Sequence, residues 1–296
     1  MLLPSWPGAP ATPLLMQIHF VTYATPRFRL RQVMLGWSAR LNRVVDSVTS
    51  WTPEMLRAHG FERRVKNIGL EERGSGYWAW KPFIIDAKLR EVKDGDLVFY
   101  CDVGRLYPFK LLDQPVTQFL RWMDEHHQDM MPGVEIPWDG PNSTWIKREA
   151  LVSLGMDLPE VHAASPVQAS FSLWRASARS RAFVGRWLEL CSQRALVSDD
   201  LSQGDLHELK NFRAHRHDQS LLSLCCLAEQ VAALSFGLVK PNIDVRHPSA
   251  VSRHYFGSLP VNQKLSARLL RLIAWTFERI EQCLRRKVKF GKPIDN

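Results

Sequence analysis

The stretch Leu97-Val98-Phe99-Tyr100-Cys101-Asp102-Val103-Gly104 decides the fold that we expect for this chain. Its continuous apolar run is typical of a strand that is buried on both faces of a central sheet. Asp102 then stands at the carboxyl end of that strand, where open α/β sheets bind ligands. Gly104 allows the backbone to approach a ligand closely. A purely structural interpretation, in which Asp102 caps the turn after the strand, stays open.

Apolar patterns on either side of this strand predict alternating strands and helices. This order is typical of an α/β domain whose central sheet is flanked by helices on both faces. We expect a loose leader over 1–15, one domain over 16–260 and a basic tail over 261–296. The predicted strands are Met16–Tyr23, Val45–Trp51, Leu97–Cys101 and Val167–Trp174, and the predicted helices are Arg29–Val44, Lys81–Val92, Val116–His127, Lys147–Leu154, Ala178–Ala195 and Asp218–Leu234.

The composition is that of a globular protein. Hydrophobic residues make up 45% of the chain and charged residues 23%, which excludes disorder on a large scale. The five cysteines are scattered and form no CxxC pair, so we expect reduced thiols, a cytoplasmic location and no zinc site. No apolar run reaches the roughly 20 residues that a membrane span needs.

A glycine-rich and aromatic segment, Arg73–Pro82, is the second candidate for chemistry. Tyr77, Trp78 and Trp80 offer rings that stack on a base or a sugar, and Lys81 stands at a predicted helix start, where a phosphate is favoured. The segment lacks the Gly-Lys-Ser/Thr ending of a Walker loop. Its aromatic residues are also compatible with a place in the core.

A third segment, His215-Arg216-His217-Asp218-Gln219-Ser220, opens an apolar helix. Asp218 and Gln219 lie in its predicted first turn, where an aspartate either caps the helix or serves a site. The sequence alone does not choose between the two.

Taken together, these segments resemble a group of bacterial GT-A-like glycosyltransferases found in capsule and surface-polysaccharide gene clusters. The resemblance rests on Gly74–Pro82, Gly95–Gly104 and Arg216–Ser220, and extends to Ser143–Arg148 and Gln168–Phe171. It spans roughly residues 16–224. It implies a Rossmann-like GT-A domain with a central mixed sheet. It also implies transfer of a sugar from a nucleotide-diphosphate donor, with a UDP-sugar the commonest choice, to a glycan or lipid-linked hydroxyl.

The resemblance also implies roles for individual residues. Asp102 and Gly104 would belong to a shortened DxD-like motif that binds the donor through a divalent metal, Mn²⁺ or Mg²⁺. The second aspartate of that motif is absent, which puts the metal requirement in question. His247 and His254 are candidates to complete the metal site. Asp218 and Gln219 would act beside the anomeric carbon, in a retaining enzyme, or Asp218 would be the general base of an inverting one.

The basic tail supplies most of the net charge of +9. Nine basic and two acidic residues lie between Lys264 and Lys292, and the rest of the chain carries only about +2. Apolar residues at helical spacing from Lys264 to Val288 predict an amphipathic helix that either rests on anionic lipid or packs on the domain. Two other functions stay open, a nucleic-acid-binding protein and a catalytically silent GT-A scaffold. Confinement of the charge to one segment disfavours nucleic acid as a partner.

Overall fold

The computed structural model describes residues 16–41, 45–103, 116–201 and 205–235, so the predicted leader, Gly104, His247, His254 and the predicted tail helix lie outside it. Eight strands are described: β1 (Ile18–Tyr23), β2 (Ser47–Trp51), β3 (Leu97–Cys101), β4 (Met130–Met131), β5 (Val134–Glu135), β6 (Val167–Gln168), β7 (Phe171–Arg175) and β8 (Leu234–Ser235). The main sheet has the order β2-β1-β3-β7-β4. Because β1, β2 and β3 are parallel and β7 runs antiparallel to both β3 and β4, the sheet is mixed.

The helices are α1 (Arg29–Leu41), α2 (Pro53–Ala58), α3 (Phe61–Arg64), α4 (Trp80–Glu91), α5 (Val116–Glu125), α6 (Asn142–Trp145), α7 (Arg148–Ser153), α8 (Pro159–Ala163), α9 (Ala178–Cys191), α10 (Arg194–Val197) and α11 (His217–Ala228). Short 3₁₀ turns cover Pro26–Phe28 and Pro137–Asp139. Among these described helices, none has both the length and the apolar character needed to cross a bilayer. The mixed α/β fold predicted from the sequence is confirmed, and it is compatible with a Rossmann-like arrangement.

The two faces of the main sheet carry separate cores. Side chains alternate along β3, so Val98 and Tyr100 enter one core while Leu97, Phe99 and Cys101 enter the other. The first core contains buried residues of α4, α9 and α11, and the second contains buried residues of α1 and α5. Helices on both faces explain why β3 is apolar throughout its length.

Three predicted elements were wrong in extent. The predicted helix Ala178–Ala195 ends at Cys191, and α10 begins separately at Arg194. The predicted strand Val167–Trp174 is two strands: β6 pairs with β5 in a small second sheet, and β7 pairs with β3 in the main sheet. The chain changes sheets at Ala169 and Ser170. The predicted helix to Leu234 ends at Ala228, and Gln230 adopts a positive φ of 52° before β8 begins. The small sheet has the order β6-β5-β8.

The carboxyl ends of the parallel strands β1, β2 and β3 form one edge of the main sheet. The amino end of antiparallel β7 lies at this edge too, since the Asp102 N–H donates to the Ser170 carbonyl at 2.8 Å. The Thr22 hydroxyl donates to the Cys101 carbonyl at 2.8 Å and ties β1 to the end of β3. This edge is the place where a ligand site of an open α/β sheet is expected.

Candidate functional site at the carboxyl edge of the sheet

Lys81, Asp102 and Asp218 form a charged cluster at this edge. The Lys81 Nζ lies 2.9 Å from Asp218 Oδ2 and 3.5 Å from Asp102 Oδ1. The Lys81 and Asp218 side chains are each 5% exposed, whereas that of Asp102 is 29% exposed. One buried ammonium thus joins two carboxylates, and Asp102 is the member of the cluster that a ligand can reach. We call these three residues the charged cluster.

Each member of the charged cluster comes from one of the three segments singled out in the sequence. Asp102 follows β3, Lys81 lies in the first turn of α4, and Asp218 lies in the first turn of α11. The Tyr100 hydroxyl donates a hydrogen bond to Asp102 Oδ1 and holds that carboxylate in place. The Trp187 indole donates to the Asp218 carbonyl at 2.9 Å and fixes the start of α11 against α9.

A left-handed turn leads into α4. Gly74, Ser75, Gly76, Tyr77 and Trp78 all have positive φ, between 50° and 85°. For the three that are not glycine, this conformation costs about 1–2 kcal/mol each. Backbone strain of this kind concentrates at ligand clamps and active sites.

Side chains of the surrounding core hold the left-handed turn in place. The Trp80 indole donates to the Gly74 carbonyl at 2.9 Å. Ser75 accepts a hydrogen bond from the Tyr23 hydroxyl at 2.9 Å and donates one to the Leu70 carbonyl at 3.1 Å. The turn is therefore anchored to β1, and its geometry is set before any ligand arrives.

The turn packs two aromatic rings against a histidine of the third segment. The Trp78 ring lies 5.2 Å from the His217 ring at an interplanar angle of 24°, and the Tyr77 ring lies 5.3 Å from it. His217 Nδ1 donates to the Val197 carbonyl at 2.8 Å, which fixes the orientation of the imidazole. Trp78 is half-buried, whereas Tyr77 is buried. Trp78 is thus the ring of this group that offers surface to a flat ligand.

The segment before α11 is held by α6. The Arg216 guanidinium lies 3.6 Å from the Trp145 ring centroid and pairs with Asp139 at 2.7 Å. The Trp145 carbonyl accepts hydrogen bonds from the Ser220 hydroxyl at 2.6 Å and from the Arg216 N–H at 3.0 Å. Trp145 and Arg216 both belong to segments that carry the family resemblance, and their contact positions Asp218.

Burial and charge shift the pKa values of the charged cluster. Burial raises the pKa of the Asp218 carboxyl to about 6, although the Lys81 ammonium opposes the shift. Burial alone would lower the pKa of Lys81, but Asp102 and Asp218 outweigh it, so the pKa of Lys81 is raised. Burial, together with the Asp102 charge, raises the pKa of the Tyr100 phenol well above its usual range. Lys81 is therefore a permanent cation and Tyr100 a permanent hydrogen-bond donor at neutral pH.

Comparison with known proteins assigns the chain to no family. No family model matches the chain, and no curated protein matches it. The functional proposal accordingly depends on the geometry of the charged cluster and on the motifs of the sequence.

The described residues around the charged cluster do not fit a divalent metal. Nowhere in the described ranges do three or more His, Cys, Asp or Glu side chains come together to hold an ion. The Lys81 ammonium already pairs with both carboxylates. His247 and His254, predicted as metal ligands, lie outside the described residues.

The remaining predicted site residues are placed differently. Trp80 is buried, and its ring lies 4.2 Å from that of Tyr23, so it belongs to the core that supports the left-handed turn. Gln219 follows Asp218 in α11, and its buried Nε2 has no hydrogen-bond partner among the described residues. No described hydrogen bond or ion pair joins the Gln219 side chain to the charged cluster. Gly104 lies outside the described residues.

Sequence reasoning missed two residues of the site. The sequence presents Tyr100 only as part of an apolar strand, but its hydroxyl holds Asp102. His217 was not assigned a role, but its ring supports Trp78. The sequence does contain a signal for Tyr100. It lies two residues before Asp102, and residues two apart on a strand share a face. His217 had no local signal, because its partner lies well over a hundred residues away in the chain.

The raised pKa of Asp218 predicts a pH-dependent contribution to stability. Because its pKa is about 6 in the folded chain and near the ordinary aspartate value of 3.8 in the unfolded chain, the folded state binds the proton first as the pH falls. As the pH falls from about 6 to about 4, the free energy of unfolding of the wild type should rise relative to that of an Asp218→Asn variant. The rise should be on the order of 1 kcal/mol per pH unit.

Urea denaturation of both proteins across this range measures the difference. The buried His215 and His217, whose pKa values are lowered by burial, titrate in both proteins and cancel to first order. A difference that stays flat from pH 6 to pH 4 contradicts the assigned protonation behaviour of Asp218.

Proposed function

We propose that the chain is a nucleotide-sugar-dependent glycosyltransferase of GT-A architecture that acts at the charged cluster. The observation that carries the proposal is the meeting of Lys81, Asp102 and Asp218 at the carboxyl edge of the sheet. These residues come from the three segments that carry the family resemblance, and the edge is where α/β sheets bind ligands. A nucleotide-diphosphate sugar is the donor, and a glycan or lipid-linked hydroxyl is the acceptor.

Asp102 is the residue of the cluster that we assign to contact with substrate. It is the most exposed member, and the Lys81 ammonium and the Tyr100 hydroxyl hold its carboxylate in one orientation. A carboxylate so held accepts hydrogen bonds from sugar hydroxyls and takes up a proton. Lys81 and Asp218 are nearly fully buried and act as positioning residues.

The reaction needs one bond formed and one bond broken. The acceptor oxygen bonds to the anomeric carbon of the donor, and the bond from that carbon to the diphosphate oxygen breaks. The diphosphate leaves with the electron pair, and the Asp102 carboxylate takes the acceptor proton. Because the described residues do not fit a metal, no step is assigned to one.

Trp78 supports recognition of the donor. Its half-buried ring is stacked on His217 and is held by a strained turn, so it is preorganised for stacking on a base or a sugar. Preorganisation reduces the entropy that a ligand must lose on binding.

Thermal unfolding of the full chain with a panel of nucleoside diphosphates, with and without Mn²⁺, tests donor binding. A ligand that binds only the folded chain raises the midpoint of unfolding by mass action. We expect a rise with one nucleotide for the wild type. The rise should be reduced in Trp78→Ala, which removes the ring assigned to donor recognition, and kept in Asp124→Asn, whose carboxylate lies on the exposed side of α5. No rise with any nucleotide would contradict the proposal, and binding without turnover would identify a silent scaffold.

A further inference from the structure

We propose that helix α1 binds the surface of an anionic membrane. Leu30, Val33 and Trp37 are 53%, 42% and 62% exposed and lie at helical spacing on one side of α1. We call these three residues the outward face of α1. Three large apolar side chains on one helix face form a patch, whereas single exposed apolar residues are ordinary.

The opposite side of α1 packs against the main sheet. Leu35, Gly36 and Ala39 are buried against the main sheet. The Gln32 side-chain amide donates to the Trp51 carbonyl at 2.8 Å and to the Thr22 carbonyl at 3.3 Å, which fixes the rotation of the helix on β1 and β2. The outward face is therefore held in a defined direction. Its apolar side chains do not contribute to the described core.

The charges around the outward face select an anionic partner. From Ala24 to Leu41 the chain has four arginines and no acidic residue, and the charge of Arg29 also acts on Glu54 of α2. Arg27, Arg29 and Arg40 are exposed on or next to α1. A protein partner would need a matching acidic rim, whereas a bilayer with anionic headgroups supplies both negative charge and an apolar layer. Tryptophan is also the side chain most typical of the interface between lipid and water.

Each basic residue near an anionic bilayer strengthens binding roughly fivefold. The outward face supplies the apolar contact, with Trp37 entering the headgroup region. Since α1 follows the carboxyl end of β1, its first turn lies towards the edge of the sheet that holds the charged cluster. Binding of lipid by this face does not depend on transferase activity, nor on the predicted tail helix.

An environment-sensitive fluorophore on the outward face tests the proposal. In the full chain, Trp37→Cys is combined with Cys283→Ser and labelled with NBD, since Cys101, Cys191, Cys225 and Cys226 are buried. We expect a blue shift and an increase in emission with phosphatidylglycerol vesicles and none with phosphatidylcholine vesicles. The same label at Val152→Cys, on the exposed side of α7, should not respond.

Charge reversal supplies the second measurement. Arg27→Glu with Arg40→Glu in the labelled chain should raise the lipid concentration for half-maximal response at least about tenfold. Arg63→Glu, at an exposed arginine of α3, should leave it unchanged. Emission that is already blue-shifted without vesicles would overturn the proposal, because another segment or a second copy would then cover the face. Emission at position 37 that is unchanged while the chain sediments with the vesicles would also overturn it, because binding would then occur elsewhere.

Discussion

Replacement of Lys81 by methionine is expected to lower the free energy of unfolding by about 3 kcal/mol or more. Removing one partner of a buried ion pair leaves an uncompensated charge, which typically costs 3–5 kcal/mol. Here two carboxylates lose their common cation, and one of them, Asp218, is 5% exposed. Asp218 can escape the cost by taking up a proton, so the loss should be smaller at pH 5 than at pH 8. Chemical denaturation at both pH values measures it.

Lys88→Met is the matched control on the same helix. Its ammonium is also largely buried, but its partner Glu91 is 68% exposed and remains solvated when the lysine is removed. A second variant, Lys81→Met with Asp218→Asn, should recover part of the loss because it leaves no buried charge at α11. If Lys81→Met costs no more than Lys88→Met, the buried ion pair is not the element that holds the site together.

Replacement of Gly74 by alanine is expected to lower the free energy of unfolding by about 2 kcal/mol. The left-handed φ of +64° costs a side chain about 1 kcal/mol, and an added Cβ would collide with the Trp78 ring. The ring must therefore leave its stacked position on His217. Because we assign Trp78 to donor recognition, the affinity for nucleotide should fall together with stability.

Gly95→Ala separates the two causes. Gly95 has a similar left-handed φ of +89°, but an added Cβ would meet no atom within 4 Å. In this variant the free energy of unfolding should fall only by the cost of the left-handed backbone. Its affinity for nucleotide should equal that of the wild type. Equal effects of the two substitutions on stability and on nucleotide affinity would contradict the role given to Trp78.

Much of the fold could be predicted from the sequence because its main strands are strongly patterned. The predicted Leu97–Cys101 strand has the observed bounds, since a continuous apolar run between a turn and an acidic residue leaves little choice. The break at Ala169 and Ser170 could not be predicted, because residues on both sides of it are apolar and β-prone. The end of α11 could not be predicted either, because no glycine directly follows Ala228 to mark it. The residue with the left-handed conformation is Gln230.

The charged cluster could be predicted only in part. Each of its residues stood in a segment chosen for local reasons, namely a strand end or a helix start. Their meeting around one ammonium depends on the order of the sheet and on the packing of α4, α9 and α11, which no local pattern encodes. The left-handed turn had a partial signal in its alternating glycines. The burial of Lys81 had none, because lysine is rarely buried without partners and those partners are distant in sequence.

The transferase proposal can be tested by the release of nucleoside diphosphate from a panel of nucleotide sugars, measured with the full chain and a hydroxyl acceptor. We expect release from one donor by the wild type and by Asp124→Asn. The rate should be at least about 100-fold lower for Asp102→Asn, since a positioned proton acceptor contributes typically 10²–10⁴-fold. Equal rates for Asp102→Asn and the wild type would show that Asp102 does not act as the proton acceptor.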